Sequence, residues 1–103
     1  MIRLLHEHQA EIQRLCAHFG VRTLEIFGSG SESKRFDAKS SDLDFLVVFQ
    51  QMPLEQYADA YFGLLDGLQV TLGRPVDLVM PEAIRNPYFR QKIDQEREIV
   101  YAA

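Results

Sequence analysis

Ser41-Asp42-Leu43-Asp44-Phe45-Leu46-Val47-Val48-Phe49 reads as a β-strand that begins in carboxylates and ends in hydrocarbon. Alternate residues of a strand share a face, so Asp42 and Asp44 project together while Leu43, Phe45, Val47 and Phe49 face the other way. Leu46 and Val48 continue the aspartate face as apolar, and past Asp44 both faces are hydrophobic, as in a central strand covered on both sides. Carboxylates at the mouth of such a strand are costly unless they are paired, protonated or bound to a cation. Taken alone, an Asp-x-Asp pair also fits a solvated strand entrance.

Upstream, Gly28-Ser29-Gly30 closes a first strand, Val21 to Phe27. Glycines permit conformations that leave backbone N–H groups pointing at an anion, and Ser29 adds a hydroxyl donor. The turn can cradle the phosphates of a nucleotide, with Lys34 and Arg35 as mobile countercharges. It has neither the glycine spacing of the dinucleotide fingerprint nor the Gly-Lys-Ser/Thr ending of the P-loop. An ordinary turn is the other reading. Downstream, Arg74-Pro75-Val76-Asp77-Leu78-Val79-Met80 is a further short β-type run, and in a compact sheet its Asp77 would join the first two acids; a charge near a turn is the alternative for Asp77 alone. Carboxylate-only ligation with positions left open for water and phosphate oxygens suits Mg²⁺ or Mn²⁺ rather than zinc. Two such ions can activate a hydroxyl and stabilise a leaving pyrophosphate.

The remaining segments fit around these strands. Leu5, Ile12, Leu15, Cys16 and Phe19 recur at helical spacing, and Gly20 ends that helix. His6, His8 and His18 lie on it; His6 and His8 diverge, which disfavours a zinc site. Pro53 fits the first turn of a second helix whose core-facing stripe is Leu54, Tyr57, Tyr61, Leu64, Leu65, Leu68 and Leu72. Tyr57 and Tyr61 are either core residues of that stripe or a platform for a nucleotide base. Gly73 ends the helix, Pro75 introduces the next strand and Pro81 closes it. Pro87 opens a short helix that carries Tyr88, Phe89 and Ile93 among Arg85, Arg90 and Lys92, a solvated face or a contact surface. Glu98-Ile99-Val100-Tyr101 reads as an edge strand. The expected class is α/β: a small mixed β-sheet with helices packed mainly on one side and the aspartates at one open end.

At 103 residues, the chain is expected to form one domain, residues 1–103, with a single core. Hydrophobic residues make up 47% and charged residues 25%, an ordinary globular composition that admits a packed core. A net charge of −4 argues against a broad grip on nucleic-acid phosphates, though not against one nucleotide held through metal. The lone Cys16 cannot form an internal disulfide and reads as a buried hydrophobe. No stretch suggests a membrane span or a leader, so a cytoplasmic setting is expected.

The order of these features resembles the minimal nucleotidyltransferase (MNT) domains of the DNA polymerase β superfamily: strand, Gly28-Ser29, a polar connection, Ser41-Asp42-Leu43-Asp44, a helix, then Arg74-Pro75-Val76-Asp77-Leu78-Val79. The resemblance covers nearly the whole chain, including Tyr61-Phe62-Gly63-Leu64 and Arg85-Asn86-Pro87-Tyr88-Phe89. It implies that Gly28 and Ser29 hold a triphosphate, that Asp42 and Asp44 bind metal ions, and that Asp77 is the third carboxylate, helping to activate the acceptor hydroxyl. Twelve residues separate Ser29 from Asp42, against about ten in the usual motif, and Ser31 stands where alanine is common. The resemblance also implies that the further helical domain of larger nucleotidyltransferases is not expected in this chain. Free-standing domains of this kind resemble the antitoxin partners of HEPN ribonuclease toxins. That likeness implies Mg²⁺-dependent transfer of AMP from ATP to a toxin tyrosine within a hetero-oligomer. The alternatives are a binding antitoxin that neutralises a helical partner without catalysis, its aromatic and arginine tail carrying the affinity, or transfer to a small hydroxylated molecule.

Overall fold

The computed structural model describes residues 2–28 and 42–103. The element order is α1 (Arg3–Glu7), α2 (Gln9–His18), β1 (Val21–Phe27), β2 (Leu43–Phe49), α3 (Leu54–Leu72), β3 (Val76–Val79), a 3₁₀ turn (Pro81–Ala83), α4 (Pro87–Glu96) and β4 (Glu98–Ala102). The four strands form one mixed sheet in the order β3-β2-β1-β4. β1 pairs antiparallel with β2 and with β4, and β2 pairs parallel with β3. The expected α/β class is the one observed, and the sequence Glu98 to Tyr101 does form an edge strand.

β2 is central, and its alternation separates two hydrophobic layers. Leu43, Phe45, Val47 and Phe49 join Leu24 and Ile26 of β1 against Leu5, Ile12 and Cys16 from the first two helices and Leu64, Leu68 and Leu72 from α3. On the opposite face, Leu46 and Phe27 pack with Ile93 of α4, flanked by Val79 and Ile84. Three helices thus cover one face and α4 covers the other, which explains why β2 is apolar on both sides beyond Asp44. Burial pushes the Cys16 thiol up to about 12, consistent with an inert packed side chain.

Three local expectations are corrected. The N-terminal helix is interrupted at His8, whose backbone (φ −110°, ψ 18°) separates α1 from α2. The spacing of apolar residues runs through the break because the Ile12 N–H still donates to the His8 carbonyl at 3.0 Å. Pro53 stands just before α3 as its N-cap, in extended conformation, rather than inside the first turn. Leu54, expected on the core stripe, is 83% exposed, whereas Tyr57, Tyr61 and Leu65 lie against the core and Ala60 is buried with it. The first turn of α3 overhangs the sheet, so helical spacing alone overstated the stripe by one residue. At the other end of α3, Gly73 adopts the left-handed conformation (φ 68°) that stops a helix, as its residue type suggests.

α4 begins with Asn86, whose side chain accepts hydrogen bonds from the Tyr88 and Phe89 N–H groups at 2.9 and 3.4 Å, followed by Pro87 in the first turn. Ile93 is buried and Phe89 meets Phe27 edge to face, while Tyr88 is 82% exposed. Among the described residues, no helix is long and apolar enough to cross a membrane.

Candidate active site

The sheet brings three of the expected acids to one end. Phe27 of β1 is in register with Asp44 of β2, and Asp44 is in register with Asp77 of β3. These residues form a row across three adjacent strands on the face that carries α4. Asp42, two residues before Asp44, projects from the same face just ahead of β2. The parallel pairing of β2 with β3 is what makes the two strand beginnings coincide, because α3 returns the chain to the starting end of the sheet before β3 begins.

Gly28 follows β1 directly and lies against Asp44. Its φ is +68°, and a Cβ built there would stand 2.8 Å from Asp44 Oδ2, so both conformation and space require glycine. The Gly28 N–H donates to Glu96 Oε2 at 3.1 Å. Glu96 closes α4, 68 positions along the chain, and was not among the expected site residues; no local motif marks it, since only the tertiary fold brings it near the turn. Ser29, Gly30, Lys34 and Arg35 lie outside the described residues.

Burial, followed by the neighbouring charges of Asp77 and Asp42, pushes the Asp44 carboxyl from its ordinary 3.8 up to about 6. Three carboxylates at converging strand ends, one of them partly desolvated, form a hard oxygen donor set whose mutual repulsion a divalent cation relieves. Among the described residues, no group of three or more His, Cys, Asp or Glu side chains is arranged to hold a metal ion by itself. Mg²⁺ is commonly held by one or two carboxylates and completed by water and substrate phosphates rather than by an all-protein cage. The residues present therefore fit such an ion when it arrives with a nucleotide. His6, His8 and His18 belong to α1, α2 and the break between them, away from this row.

Tyr61 lies against the core, as its place on the stripe predicts, and also reaches the edge of the sheet. Its hydroxyl donates to the Leu78 carbonyl at 2.5 Å. Burial first, and then the charge of Asp77, raise its pKa.

Comparison with known proteins agrees with this geometry. The profile of the family described as polymerase beta, nucleotidyltransferase matches residues 10–103. A candidate protein adenylyltransferase of Methanocaldococcus jannaschii, MJ0128, is 37% identical over 78 residues, covering 76% of this chain and 74% of that protein. A solved structure described as a candidate minimal nucleotidyltransferase superposes with a TM-score of 0.67 at 28% identity, covering 91% of this chain and 90% of the other. The MNT antitoxin fold seen in complex with a tri-AMPylated HEPN toxin of Shewanella oneidensis superposes with a TM-score of 0.63 at 18% identity, over 96% of this chain and 73% of that one. A strand-end carboxylate row beside a glycine turn, set in a fold matched along nearly its whole length, makes this chain a minimal member of the polymerase β nucleotidyltransferase family.

Proposed function

We propose that this nucleotidyltransferase moves AMP from ATP to a tyrosine hydroxyl of a HEPN-type helical toxin and thereby acts as its antitoxin. The observation that carries this reading is the register of Asp44 against Asp77 beside Gly28, which supports an anion-binding turn and a carboxylate pair serving one reaction centre. The candidate adenylyltransferase relative supports protein as the acceptor, and the MNT and HEPN complex supports the toxin class.

In this reading, Asp42 and Asp44 hold Mg²⁺, with Mn²⁺ as a substitute, and Asp77 is the third ligand for a two-ion site. When bound, the ions neutralise the phosphate charge and lower the cost of forming the nucleophile and the leaving group. The Gly28-Ser29-Gly30 turn holds the triphosphate, Gly28 by permitting its close approach and Ser29 and Gly30 through backbone N–H groups and the serine hydroxyl, with Lys34 and Arg35 as countercharges. The phenol oxygen of the acceptor attacks the α-phosphorus and the bond from that phosphorus to the bridging oxygen of the β-phosphate breaks. Pyrophosphate leaves, and the phenolic proton passes to the Asp77 carboxylate. The AMP ester adds charge and bulk to the toxin surface.

The direct test is transfer of label from α-labelled ATP with Mg²⁺ onto a co-expressed HEPN-type partner. Wild type is expected to label a partner tyrosine, and Asp42→Asn/Asp44→Asn is expected to leave it unlabelled. Tight partner binding by both forms with no label from either would instead assign a binding antitoxin.

A further inference from the structure

β3 is an edge strand, and α3 closes its open side at the two positions that flank Asp77. The Pro75 carbonyl accepts from the Leu43 N–H at 3.2 Å, so position 75 faces β2. Strand alternation then turns the backbone of Asp77 towards β2 and sends the N–H of Val76 and the carbonyl of Leu78 to the unpaired edge. Both are taken by side chains of α3. Gln69 Oε1 accepts from the Val76 N–H at 3.1 Å, and the Tyr61 hydroxyl donates to the Leu78 carbonyl. Tyr61 and Gln69 are eight residues apart, on the same side of the helix a little over two turns from one another. The groups they bind are two positions apart on the strand, with Asp77 alone between them.

We propose that Tyr61 and Gln69 are positioning residues that clamp β3 at the register in which Asp77 stands opposite Asp44. The inference rests on the transferase reading for its effect on catalysis, but not for its structural content. β3 spans four residues and, among the described residues, is hydrogen-bonded to a strand on one side alone. Without bonds on the other side it can fray or slip, and a slip of one residue turns Asp77 to the opposite face of the sheet. The clamp supplies the missing edge bonds from a nineteen-residue helix anchored in the core by Leu64, Leu68 and Leu72.

The test uses Tyr61→Phe, which keeps the ring and removes the hydroxyl, and Gln69→Leu, which keeps the bulk and removes the acceptor. Two readouts are taken on the full chain, after thermal melts confirm that each variant folds. The first is hydrogen exchange at the Val76 and Asp77 amides. The second is AMP transfer from α-labelled ATP and Mg²⁺ to the co-expressed HEPN-type partner. Both variants are expected to exchange faster at these amides. Their kcat is expected to fall about ten- to a hundredfold, as for a small misplacement of a reacting group. The KM for ATP should stay within about twofold, because the phosphate turn is untouched. Unchanged exchange, or unchanged kcat in variants whose exchange has quickened, overturns the proposal. Faster exchange in a protein whose wild type transfers nothing retains the clamp and rejects the transferase reading instead.

Discussion

The Asp44 carboxyl holds its proton more tightly in the folded chain than in an unfolded one, because folding takes it partly out of water and sets Asp77 and Asp42 beside it. Between an ordinary carboxyl pKa of 3.8 and the folded value of about 6, the native state binds more protons than the unfolded state. Stability contributed at low pH is therefore lost as pH rises through that window. A shift of about two units corresponds to about 3 kcal/mol in full. Asp44 is only half-buried and solvent screens much of this, leaving about 1 kcal/mol. In metal-free buffer, Asp44→Asn is expected to be more stable than wild type by that amount at pH 8 and equal to it near pH 3.5, measured by urea denaturation. A wild type more stable than the variant at pH 8 without metal would show that the carboxylate is not under strain. That Asp42, Asp44 and Asp77 share one end of the sheet was legible from alternation and from the order of the segments. Glu96 was not, because a lone glutamate near the end of a polar helix carries no signature of the amide it will meet.

At the scale of elements, α3 presents Gly63 and Gly67 to the first layer of helices. A Cβ at Gly63 would lie 2.3 Å from the Phe19 ring, and one at Gly67 would lie 2.5 Å from a terminal methyl of Leu15. Helix propensity alone favours alanine over glycine by about 1 kcal/mol. Overpacking of a close helix contact typically costs about 1–3 kcal/mol. Phe19 presents a rigid ring, edge to face with His18, whereas the tip of Leu15 is a flexible end that can rotate. Gly63→Ala is accordingly expected to lose about 1–2 kcal/mol of stability, and Gly67→Ala to be close to neutral, by thermal or denaturant melts. A gain at Gly63 would mean that α2 and α3 can separate freely. The helices and strands themselves were readable from period and punctuation: Gly20, Gly73, Pro75, Pro81 and Pro87 all mark boundaries within a residue or two. What escaped was contact geometry. The break at His8 leaves the apolar spacing intact, and Leu54 matches the stripe in sequence but lies beyond the sheet in space.

Across the whole molecule, the proposed binding of a magnesium nucleotide at the acids of the sheet end would appear as added stability of the folded chain. At about one hundred times the dissociation constant, a ligand that binds only the folded state adds about 2.7 kcal/mol. For a chain of this size, that is a rise in melting temperature of about 10 °C or more. Wild type with Mg²⁺ and ATP is expected to show it, and Asp42→Asn/Asp44→Asn is not; an equal rise in both would move nucleotide binding away from the aspartates. The architecture was legible because one central strand carried both its burial and its chemistry in nine residues. The covering of both faces by different helices was foreshadowed by the apolar residues after Asp44, while the distribution of the helices between the faces needed the tertiary contacts.

The hydrogen bond from Gly28 to Glu96 has a consequence in time as well as in space. A chain emerging from the ribosome displays its glycine turn and all three aspartates before α4 is made. Until α4 is made, the turn lacks the carboxylate that Gly28 donates to in the finished fold, and β1 lacks the neighbour β4 supplies. The surroundings of the turn therefore wait for α4 and β4, segments far downstream of the turn itself, and a chain cut before Pro87 is expected to leave Gly28 without this partner.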